Sequence, residues 1–482
     1  MVNNRFEYDA IVVGSGPNGL AAAITMQQQG LSTLIVEGSK AIGGGLRSAE
    51  VTLPGFLHDI CSAVHPMAVS SPFFKQMPLA KHGLDFIYPE VAAAHPLDNG
   101  SSAALYRSIQ KTAVTLGADA DAYTRIYEPL AKYWPSIAVD VLGPLRIPKH
   151  PLNMVRFGLM GLTSAKSFAD NFKTKEARGL WAGMAAHSIQ PLSSLTTSAI
   201  GLVLTVAGHL YGWPIPKGGS QSIANSLVSY YTSIGGKIQT DFYVNALSEL
   251  PPSRAVLFDV TPKQLLKIAG HKFSPLYKWQ LQRFKYGMGV FKVDWALNEP
   301  IPFTNPDCRK AGTVHIGNTF EEIASSEYLS STGKHPEKPF VLLAQQSLFD
   351  ATRAPEGKHT AWAYCHVPNG SLKDMTDAIE NQIARFAPGF KDIILAKATS
   401  NTAQIEEYNN NYLGGDINGG KLDITQLFTR PALRMSPYKT SHQGLYICSS
   451  STPPGGGVHG MCGYYAAKRA LSDIFNIKLP SL

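Results

Sequence analysis

The chain has 482 residues, 44% of them hydrophobic, and its 43 lysine and arginine residues exceed the 35 acidic residues to give a formal net charge of +8. A chain of this length exceeds one hydrophobic core and predicts two or three globular domains. The basic residues form no clustered stripe with interleaved aromatic residues, which argues against a nucleic-acid partner, whereas a mild positive charge is compatible with an anionic membrane surface.

Neither a metal site nor a disulfide framework is predicted. The five cysteines are odd in number, widely spaced and without a CxxC pair, and the histidines show no metal-ligand spacing such as HExxH. The first strand pattern begins at Tyr8 without a preceding signal peptide, and no apolar stretch is long enough to span a membrane. We therefore expect a cytoplasmic protein. The cysteines are Cys61, Cys308, Cys365, Cys448 and Cys462.

The N-terminal segment combines a strand with a glycine fingerprint. Tyr8 to Val13 is an apolar strand pattern, and it runs directly into Gly14, Gly16 and Gly19. These glycines allow a tight turn, a close approach to a pyrophosphate and the packing of the next helix on its strand. That helix, expected from Leu20 to Gln29, offers free N–H groups to the anion.

An acidic residue follows at the distance that a dinucleotide-binding unit requires. The second strand, expected from Leu31 to Val36, ends at Glu37, where a carboxylate would bind the ribose hydroxyls of an adenosine. An acid here disfavours a cofactor with a 2′-phosphate. An ordinary βαβ unit with a glycine-rich turn would explain the glycines but not the placement of Glu37.

The next segment carries a more specific pattern. Gly43-Gly44-Gly45-Leu46-Arg47-Ser48 is followed by the turn Pro54-Gly55-Phe56 and then by Asp59. This pattern resembles the phytoene-dehydrogenase-like branch of the FAD-dependent amine-oxidase superfamily, which includes carotenoid desaturases and retinol saturase. The resemblance implies that the diglycine segment lines the pyrophosphate and ribityl chain of FAD, and that Arg47 lies near the flavin ring.

Two later stretches extend this resemblance. Pro216-Lys217-Gly218-Gly219, a helix, Gly235-Gly236 and a strand lead to Val244, whose counterpart in relatives contacts the adenine end through its backbone. Near the C-terminus, a strand from Leu445 to Cys448 precedes a PGGGV loop and a helix through Phe475. The resemblance implies that this helix N-terminus meets the pyrimidine edge of the flavin, where it would stabilise negative charge. The chain departs from its relatives at Ser449 to Pro454, where serines replace glycines and a histidine.

The resemblance implies an α/β fold: a split Rossmann-type FAD-binding domain, an antiparallel-sheet substrate domain and a helical lid. We expect the FAD-binding domain at residues 1–75, 211–283 and 430–482, the substrate domain at 76–110 and 284–429, and the lid at 111–210. No second strand-GxGxxG-helix unit is present, so FAD is expected as the sole dinucleotide. The predicted FAD-binding residues are Gly14, Ser15, Gly16, Pro17, Asn18, Gly19, Glu37, Gly38, Gly44, Gly45, Leu46, Arg47, Val244, Ser449, Ser450, Gly456, Gly457, Val458, His459 and Met461.

Two residues are candidates for catalysis. Lys292 shares a strand face with Met288 and Val290, an apolar setting that desolvates an ammonium, and it resembles a lysine that holds a water near the flavin in amine-oxidase relatives. A surface lysine paired with Asp294 is an equally good interpretation. His459 precedes the last helix beside the expected flavin, although capping or backbone hydrogen bonding is the more common role for such a residue.

The substrate domain shows strands with alternating faces. In Thr360 to His366, Thr360, Trp362, Tyr364 and His366 share one face, and the small residues between them share the other. The aromatic face can line a cavity or belong to the core, and a structural hydrogen-bonded role is the better prediction for His366.

We thus expect an FAD-dependent oxidoreductase that desaturates, saturates or isomerises C–C bonds of a hydrophobic, polyene- or lipid-like substrate. The alternatives are a flavin amine or amino-acid oxidase, with Arg47, Arg353 or Arg430 as possible carboxylate binders, and a flavin-binding protein with little turnover that associates with a membrane or partner. Residues 148–162, apolar with flanking positive charges, could contact a bilayer interface, although packing within the domain is the commoner fate of such a helix. The sequence does not indicate an oligomeric state.

Overall fold

The fold was examined in a computed structural model that describes residues 6–480. Residues 1–5 and 481–482, at the two ends of the predicted FAD-binding domain, lie outside the described residues. The strands are β1 (Tyr8–Val13), β2 (Thr33–Val36), β3 (Ser48–Glu50), β4 (Leu57–Asp59), β5 (Phe86–Ile87), β6 (Val91–Pro96), β7 (Ser102–Leu105), β8 (Ile215–Pro216), β9 (Lys237–Gln239), β10 (Ser253–Phe258), β11 (Gly289–Leu297), β12 (Ala311–Ile316), β13 (Val341–Ala344), β14 (His359–Val367), β15 (Ile394–Ser400) and β16 (Leu445–Ile447).

Helices fill the segments between these strands. The α-helices are α1 (Pro17–Gln27), α2 (Pro66–Ser70), α3 (Pro72–Gln76), α4 (Ile109–Val114), α5 (Ala120–Val141), α6 (Pro151–Gly161), α7 (Ala165–Phe168), α8 (Lys175–Ala186), α9 (Thr197–Tyr211), α10 (Gln221–Ser233), α11 (Pro262–Ala269), α12 (Pro275–Gln282), α13 (Pro306–Arg309), α14 (Phe320–Ser331), α15 (Thr376–Phe386), α16 (Thr402–Tyr408), α17 (Ile424–Leu427) and α18 (Met461–Ile474). No helix among the described residues is both long and apolar enough to cross a membrane.

A five-stranded parallel sheet joins distant parts of the chain. Its order is β16-β10-β1-β2-β9, and each neighbouring pair is parallel. The predicted first strand is confirmed, whereas the helix after it begins at Pro17 and not at Leu20. Proline has the helical φ value and lacks the N–H group that a first turn leaves unpaired, so it starts the helix three residues earlier.

The second sheet has seven strands in the order β15-β11-β14-β13-β12-β6-β7. All neighbouring pairs are antiparallel except β12 and β6. Side chains alternate between its two faces, as strand geometry requires. Ala361, Ala363 and Cys365 of β14 point into an apolar core with Val293 and Trp295 of β11. The opposite face is turned toward the parallel sheet and the helices. The α/β fold class with an antiparallel substrate sheet is thus confirmed.

The two ends of the fold meet where α1 packs on α18. Glycine is required at this contact, because a Cβ atom on Gly463 would overlap the carbonyl oxygen of Asn18. A Cβ atom on Gly19 would likewise overlap the carbonyl oxygen of Gly14. The first turn of α1 and the loop before α18 are therefore held together at one edge of the parallel sheet.

Helices α4 to α9 occupy residues 109–211 and share one hydrophobic core with α1 and α18. Within it, α6 packs on α9, and Phe157 of α6 meets the buried Trp134 edge to face, with ring centroids 6.3 Å apart. The other side of α6 faces solvent. The basic and apolar segment singled out in the sequence therefore has one face in the core and one face outside.

Candidate active site

One large cavity of about 620 Å³ runs between the parallel sheet and the inner face of the seven-stranded sheet. Its volume lies in the usual range for small-molecule sites, and it ends against the carboxyl end of β1, where open α/β sheets bind ligands. One end is formed by backbone-rich turns and the other by apolar and aromatic side chains.

Glu37 organises the polar end. Its Oε2 atom accepts hydrogen bonds from the backbone N–H of Ser15, at 2.8 Å, and from the Ser15 hydroxyl, at 2.6 Å. Its Oε1 atom accepts from the Ser39 N–H at 2.9 Å. A carboxylate offers about four acceptor positions, so one remains for a hydroxyl group in the cavity. Glu37 therefore fixes the first glycine turn and can still bind a ligand.

Asp259, immediately after β10, was missed from the sequence. Its Oδ2 atom accepts a hydrogen bond of 2.8 Å from the backbone N–H of Gly19, in the first turn of α1. Burial, helped by the charge of the nearby Glu37 and opposed by that hydrogen bond, raises the pKa of this carboxyl to about 7. Asp259 is thus a carboxyl group that gains or loses its proton near neutral pH. It lies at the helix N-terminus that the glycine motif marks as an anion site.

The diglycine segment forms the next part of the wall. Gly44 and Gly45 line the cavity, while Leu46 is buried in the core behind them. The Arg47 guanidinium donates to the carbonyl of Gly44 at 3.0 Å and lies 4.2 Å above the ring of Tyr408. Arg47 is therefore held in place by the protein and keeps one face toward the cavity.

The C-terminal loop contributes Ser449, Ser450, Gly457 and Val458 to the wall. His459 lies behind them: its Nδ1 atom accepts from the Met461 N–H at 3.0 Å, and its Nε2 atom is 3.1 Å from the carbonyl of Gly455. Burial lowers its pKa to about 4. The imidazole thus caps the first turn of α18.

Most of the predicted FAD-binding residues are brought together by the fold. Those on the cavity wall are Gly14, Ser15, Gly16, Pro17, Asn18, Glu37, Gly38, Gly44, Gly45, Arg47, Val244, Ser449, Ser450, Gly457 and Val458. The others, set back from the wall, are Gly19, Leu46, Gly456, His459 and Met461. Gly19 and Leu46 have packing roles, since Gly19 lies against Gly14 and Leu46 is fully buried.

A tyrosine- and asparagine-rich segment covers part of the cavity. Residues 407–412 line it, and the Tyr408 hydroxyl donates to the carbonyl of Gly44 at 2.7 Å. The side chain of Asn411 accepts from the Thr261 N–H at 2.8 Å. The sequence analysis did not single out this segment. The unusual run Tyr408-Asn409-Asn410-Asn411-Tyr412 was the signal available for it.

The apolar end is formed by side chains from both the helices and the sheet. Trp362 and Tyr364 project from β14 into the cavity and stack on each other, with centroids 5.5 Å apart. The cavity-facing interpretation of this aromatic face is therefore the correct one. Residues from other elements complete this end: Met67, His187, Leu204, Trp213, Thr313 and Leu342.

His366, on the same strand face, lies deeper. Its Nδ1 atom is 2.8 Å from both carboxylate oxygens of the buried Glu327. The predicted hydrogen-bonded setting of His366 is confirmed.

Lys292 borders a second, smaller cavity. Its side chain is buried and forms an ion pair with Asp294, and the cavity beside it has a volume of about 40 Å³. Lys292 does not line the larger cavity, although the two cavities adjoin and share Cys61 and Tyr364 in their walls. The pairing with Asp294 is present, as in the surface-lysine interpretation. Lys292 is not at the surface, however, because every residue of β11 is buried. The alternation that placed Lys292 among apolar residues is correct.

Residues 12–77 match a family model described as an NAD(P)-binding Rossmann-like domain. The chain is 25% identical to pyridine nucleotide-disulfide oxidoreductase domain-containing protein 2 of Rattus norvegicus, over 98% of this chain and 94% of that protein. It is 23% identical to a phytoene desaturase (lycopene-forming) of Pseudescherichia vulneris, over 96% and 98% of the two chains.

Solved structures show the same fold over the full length. Putrescine oxidase bound to putrescine superimposes with a TM-score of 0.62 at 16% identity, covering 98% of this chain and 99% of that one. Cyclohexylamine oxidase of Brevibacterium oxydans gives a TM-score of 0.60 at 13% identity, covering 97% and 99%. The chain thus has the fold of these amine oxidases, with full-length sequence similarity to a phytoene desaturase and to the Rattus norvegicus protein. Its resemblance to phytoene desaturases, predicted from the motifs, is confirmed at full length.

The buried pair of Lys292 and Asp294 gives a stability prediction. Burial raises the pKa of Asp294, and the charge of Lys292 opposes that effect. Lys292→Met leaves a buried carboxylate without its cation, which costs about 3–5 kcal/mol. We expect this loss in the midpoint of urea unfolding, and we expect Lys292→Met combined with Asp294→Asn to recover most of it.

Lys111→Met is the control, because Lys111 pairs with Glu90 at the surface, where the two side chains are 51% and 56% exposed. Such a pair contributes about 0–1 kcal/mol. Equal losses in Lys292→Met and Lys111→Met would contradict a structural role for Lys292.

Proposed function

We propose that the protein is an FAD-dependent oxidoreductase that desaturates, saturates or isomerises a carbon–carbon bond of a hydrophobic, polyene- or lipid-like substrate. The observation that carries this proposal is the single cavity that joins the glycine cradle to an apolar, aromatic end. The full-length similarity to a phytoene desaturase supports it.

The residues at the polar end fit FAD. A Cβ atom on Gly16 would come within 2.7 Å of the Asp259 carboxylate, and one on Gly44 within 3.0 Å of the Gly16 Cα atom, so side chains would fill the cradle. The first turn of α1 presents N–H groups for a diphosphate, and Glu37 retains an acceptor position for a ribose hydroxyl. We propose Val244 for the adenine end, and Arg47, Gly457 and Val458 for the flavin.

Bound FAD would supply the two-electron chemistry. The protein's own contribution is then to hold the substrate against the flavin and to exclude water. Trp213, Trp362 and Tyr364 provide large apolar surfaces for this purpose.

An amino-acid oxidase would need a cation for the substrate carboxylate, and the arginines considered from the sequence are otherwise engaged. Arg353 is fully buried, 3.1 Å from Asp59 and 2.9 Å from Asp350. Arg430 is also buried and donates to the carbonyl of Ser450 at 2.8 Å. Arg47 is the one arginine among the described residues of the cavity wall. It lies at the polar end, which we propose for FAD.

The proposal is tested by anaerobic mixing of the FAD-loaded protein with two groups of compounds. Phytoene, retinol and geranylgeraniol represent the hydrophobic group, and putrescine, cyclohexylamine and leucine represent amines. Loss of oxidised-flavin absorbance with a hydrophobic compound, together with a two-hydrogen mass change in that compound, is the expected result. Lipids extracted from the purified protein are identified by mass spectrometry in parallel.

Two other outcomes would contradict the proposal. Reduction by an amine with peroxide release would indicate the oxidase alternative. A second such outcome is retained flavin that is redox-inactive. If no compound or quinol reduces the oxidised flavin, and no quinone or polyene reoxidises the reduced flavin, the protein is a binding protein with little turnover.

The affinity for FAD is expected to depend on pH through Asp259. As the pH rises through about 7, this carboxyl ionises beside the diphosphate site and repels it. The dissociation constant measured by flavin fluorescence should therefore rise with pH, by up to about tenfold per unit. Asp259→Asn remains neutral and should bind FAD with a nearly constant affinity. Asp121→Asn, exposed on α5, serves as the control, and a pH dependence that survives Asp259→Asn would refute this assignment.

We also propose that α6 contacts an anionic membrane surface. Leu152, Val155 and Leu159 form one stripe of this helix and are 82%, 58% and 73% exposed. In the preceding loop, Ile147 is 91% exposed. Arg156 is exposed on the same helix. An apolar stripe with flanking positive charge is the pattern of helices that lie in the plane of a bilayer interface.

This contact is tested by flotation with vesicles rich in phosphatidylglycerol and with neutral phosphatidylcholine vesicles. Leu152→Ser combined with Leu159→Ser should weaken binding to the anionic vesicles by at least about tenfold, since each buried leucine contributes about 1.5–3 kcal/mol. Leu276→Ser combined with Leu372→Ser is the matched control, because these leucines are 66% and 65% exposed elsewhere. Equal flotation of both double variants would show that α6 does not bind the membrane.

A further inference from the structure

A group of buried titratable residues lies at the apolar end of the cavity. His187 follows α8 and lines the cavity, and His315 stands behind it on β12. His366 on β14 and Glu327 on α14 lie next to them. The roles described so far do not use these four side chains, and three of them are more than nine-tenths buried.

His187 and His315 are joined through their ring nitrogens. The two Nε2 atoms are 3.0 Å apart, so one must carry a hydrogen and the other must accept it. The ring of Trp213 meets that of His187 edge to face, with centroids 5.5 Å apart, and fixes its plane. The Nδ1 atom of His187 makes no hydrogen bond within the part of the chain that the structure describes. This nitrogen is therefore available to a molecule in the cavity.

The second pair stands nearby. The Glu327 carboxylate binds the Nδ1 atom of His366 and is itself fully buried. The ring of Phe340 lies between His366 and His315, 5.9 Å from each. The Nε2 atom of His366 is buried without a partner among the described residues. A carboxylate that can compensate an added positive charge is thus placed one ring away from the His187–His315 pair.

We propose that His187 is the catalytic acid–base residue that exchanges a proton with the substrate carbon next to the one that exchanges a hydride. His315 is a positioning residue that shares the proton through Nε2. This inference rests on the proposed function and deepens it, because it assigns the second of the two hydrogens that a C–C desaturation removes.

One substrate carbon loses a hydrogen with its electron pair, which bound oxidised FAD would accept, and the adjacent carbon loses a proton to Nδ1 of His187. The electron pair of that second C–H bond forms the new C=C bond. In the saturating direction the same proton moves from His187 to carbon.

The electrostatic setting suits this role. Burial lowers the pKa of His187 to about 3, and the charge of His366 adds to this effect. The imidazole is therefore neutral and ready to accept a proton at physiological pH. Loss of a hydride leaves an electron-deficient carbon in the polyene. A C–H bond on the adjacent carbon is then far more acidic than an imidazolium, so a weak base is sufficient. Burial and the neighbouring His187 and His95 also lower the pKa of His315, which keeps the pair neutral between turnovers.

The proposal is tested with phytoene as the probe in anaerobic single turnovers of the FAD-loaded protein. His187→Gln should reduce the rate of flavin reduction by at least about 100-fold, with unchanged flavin content and unchanged phytoene binding. Added imidazole should restore part of the rate in His187→Ala. His315→Gln retains a hydrogen-bonding group toward His187 and should keep most of the rate, whereas His315→Leu should lower kcat without raising KM. His82→Gln, at the protein surface, is the control.

A second measurement does not depend on turnover. Diethyl pyrocarbonate should modify His187 in the FAD-loaded protein, as mapped by mass spectrometry, and phytoene should protect it, while His315 and His366 stay unmodified. Flavin reduction at the unmodified rate in His187→Gln, or no modification of His187, would overturn this assignment and leave the proposed function intact. If no compound of the hydrophobic group reduces the oxidised flavin, reoxidises the reduced flavin or is isomerised, both the proposed function and this assignment are overturned.

Discussion

The contact between α1 and α18 is the constraint on which the rest of the structure depends. Gly463 and Asn18 approach so closely that no side chain fits between them, and the two helices belong to opposite ends of the chain. This contact places the turn at Gly14 and the loop at Gly457 on opposite sides of one cavity. Because an interior is close-packed, a shift of either helix would move both walls of the polar end.

Electrostatics then divides that cavity into two parts. The polar end has a helix N-terminus, Arg47 and two carboxylates, Glu37 and Asp259, so its net charge depends on the proton that Asp259 retains. The apolar end has neutral imidazoles and aromatic rings. The buried charges of Arg353 and Asp59 are compensated within the protein and set apart from the cavity wall. A charged cofactor and a hydrophobic substrate can therefore share one cavity without competing for the same groups.

The sequence was sufficient for those parts of the site that depend on backbone geometry. Gly14, Gly16 and Glu37 act through a turn and a strand end, and these leave a fixed spacing in the chain. The faces of β14 were also predictable, because alternation in a strand is strict. Lys292 shows where this reasoning ends: its strand face was correct, but only the three-dimensional packing shows that it borders a smaller cavity beside the large one. Asp259 carries no spacing signal, since its partner Gly19 is 240 residues away.

His187 and His315 were unpredictable for the same reason, as they come from a helix end and a strand 128 residues apart. In the sheet, Thr313 and His315 on β12 and Tyr364 and His366 on β14 face the same side, because both strands follow the same alternation. A single inner face therefore presents both aromatic rings and imidazoles to the interior of the fold. The hydride and the proton of a C–C bond leave from adjacent carbons, so the role proposed for His187 requires FAD and this imidazole to meet the substrate at neighbouring positions. Lys292, on β11, borders the smaller cavity and does not line the large one.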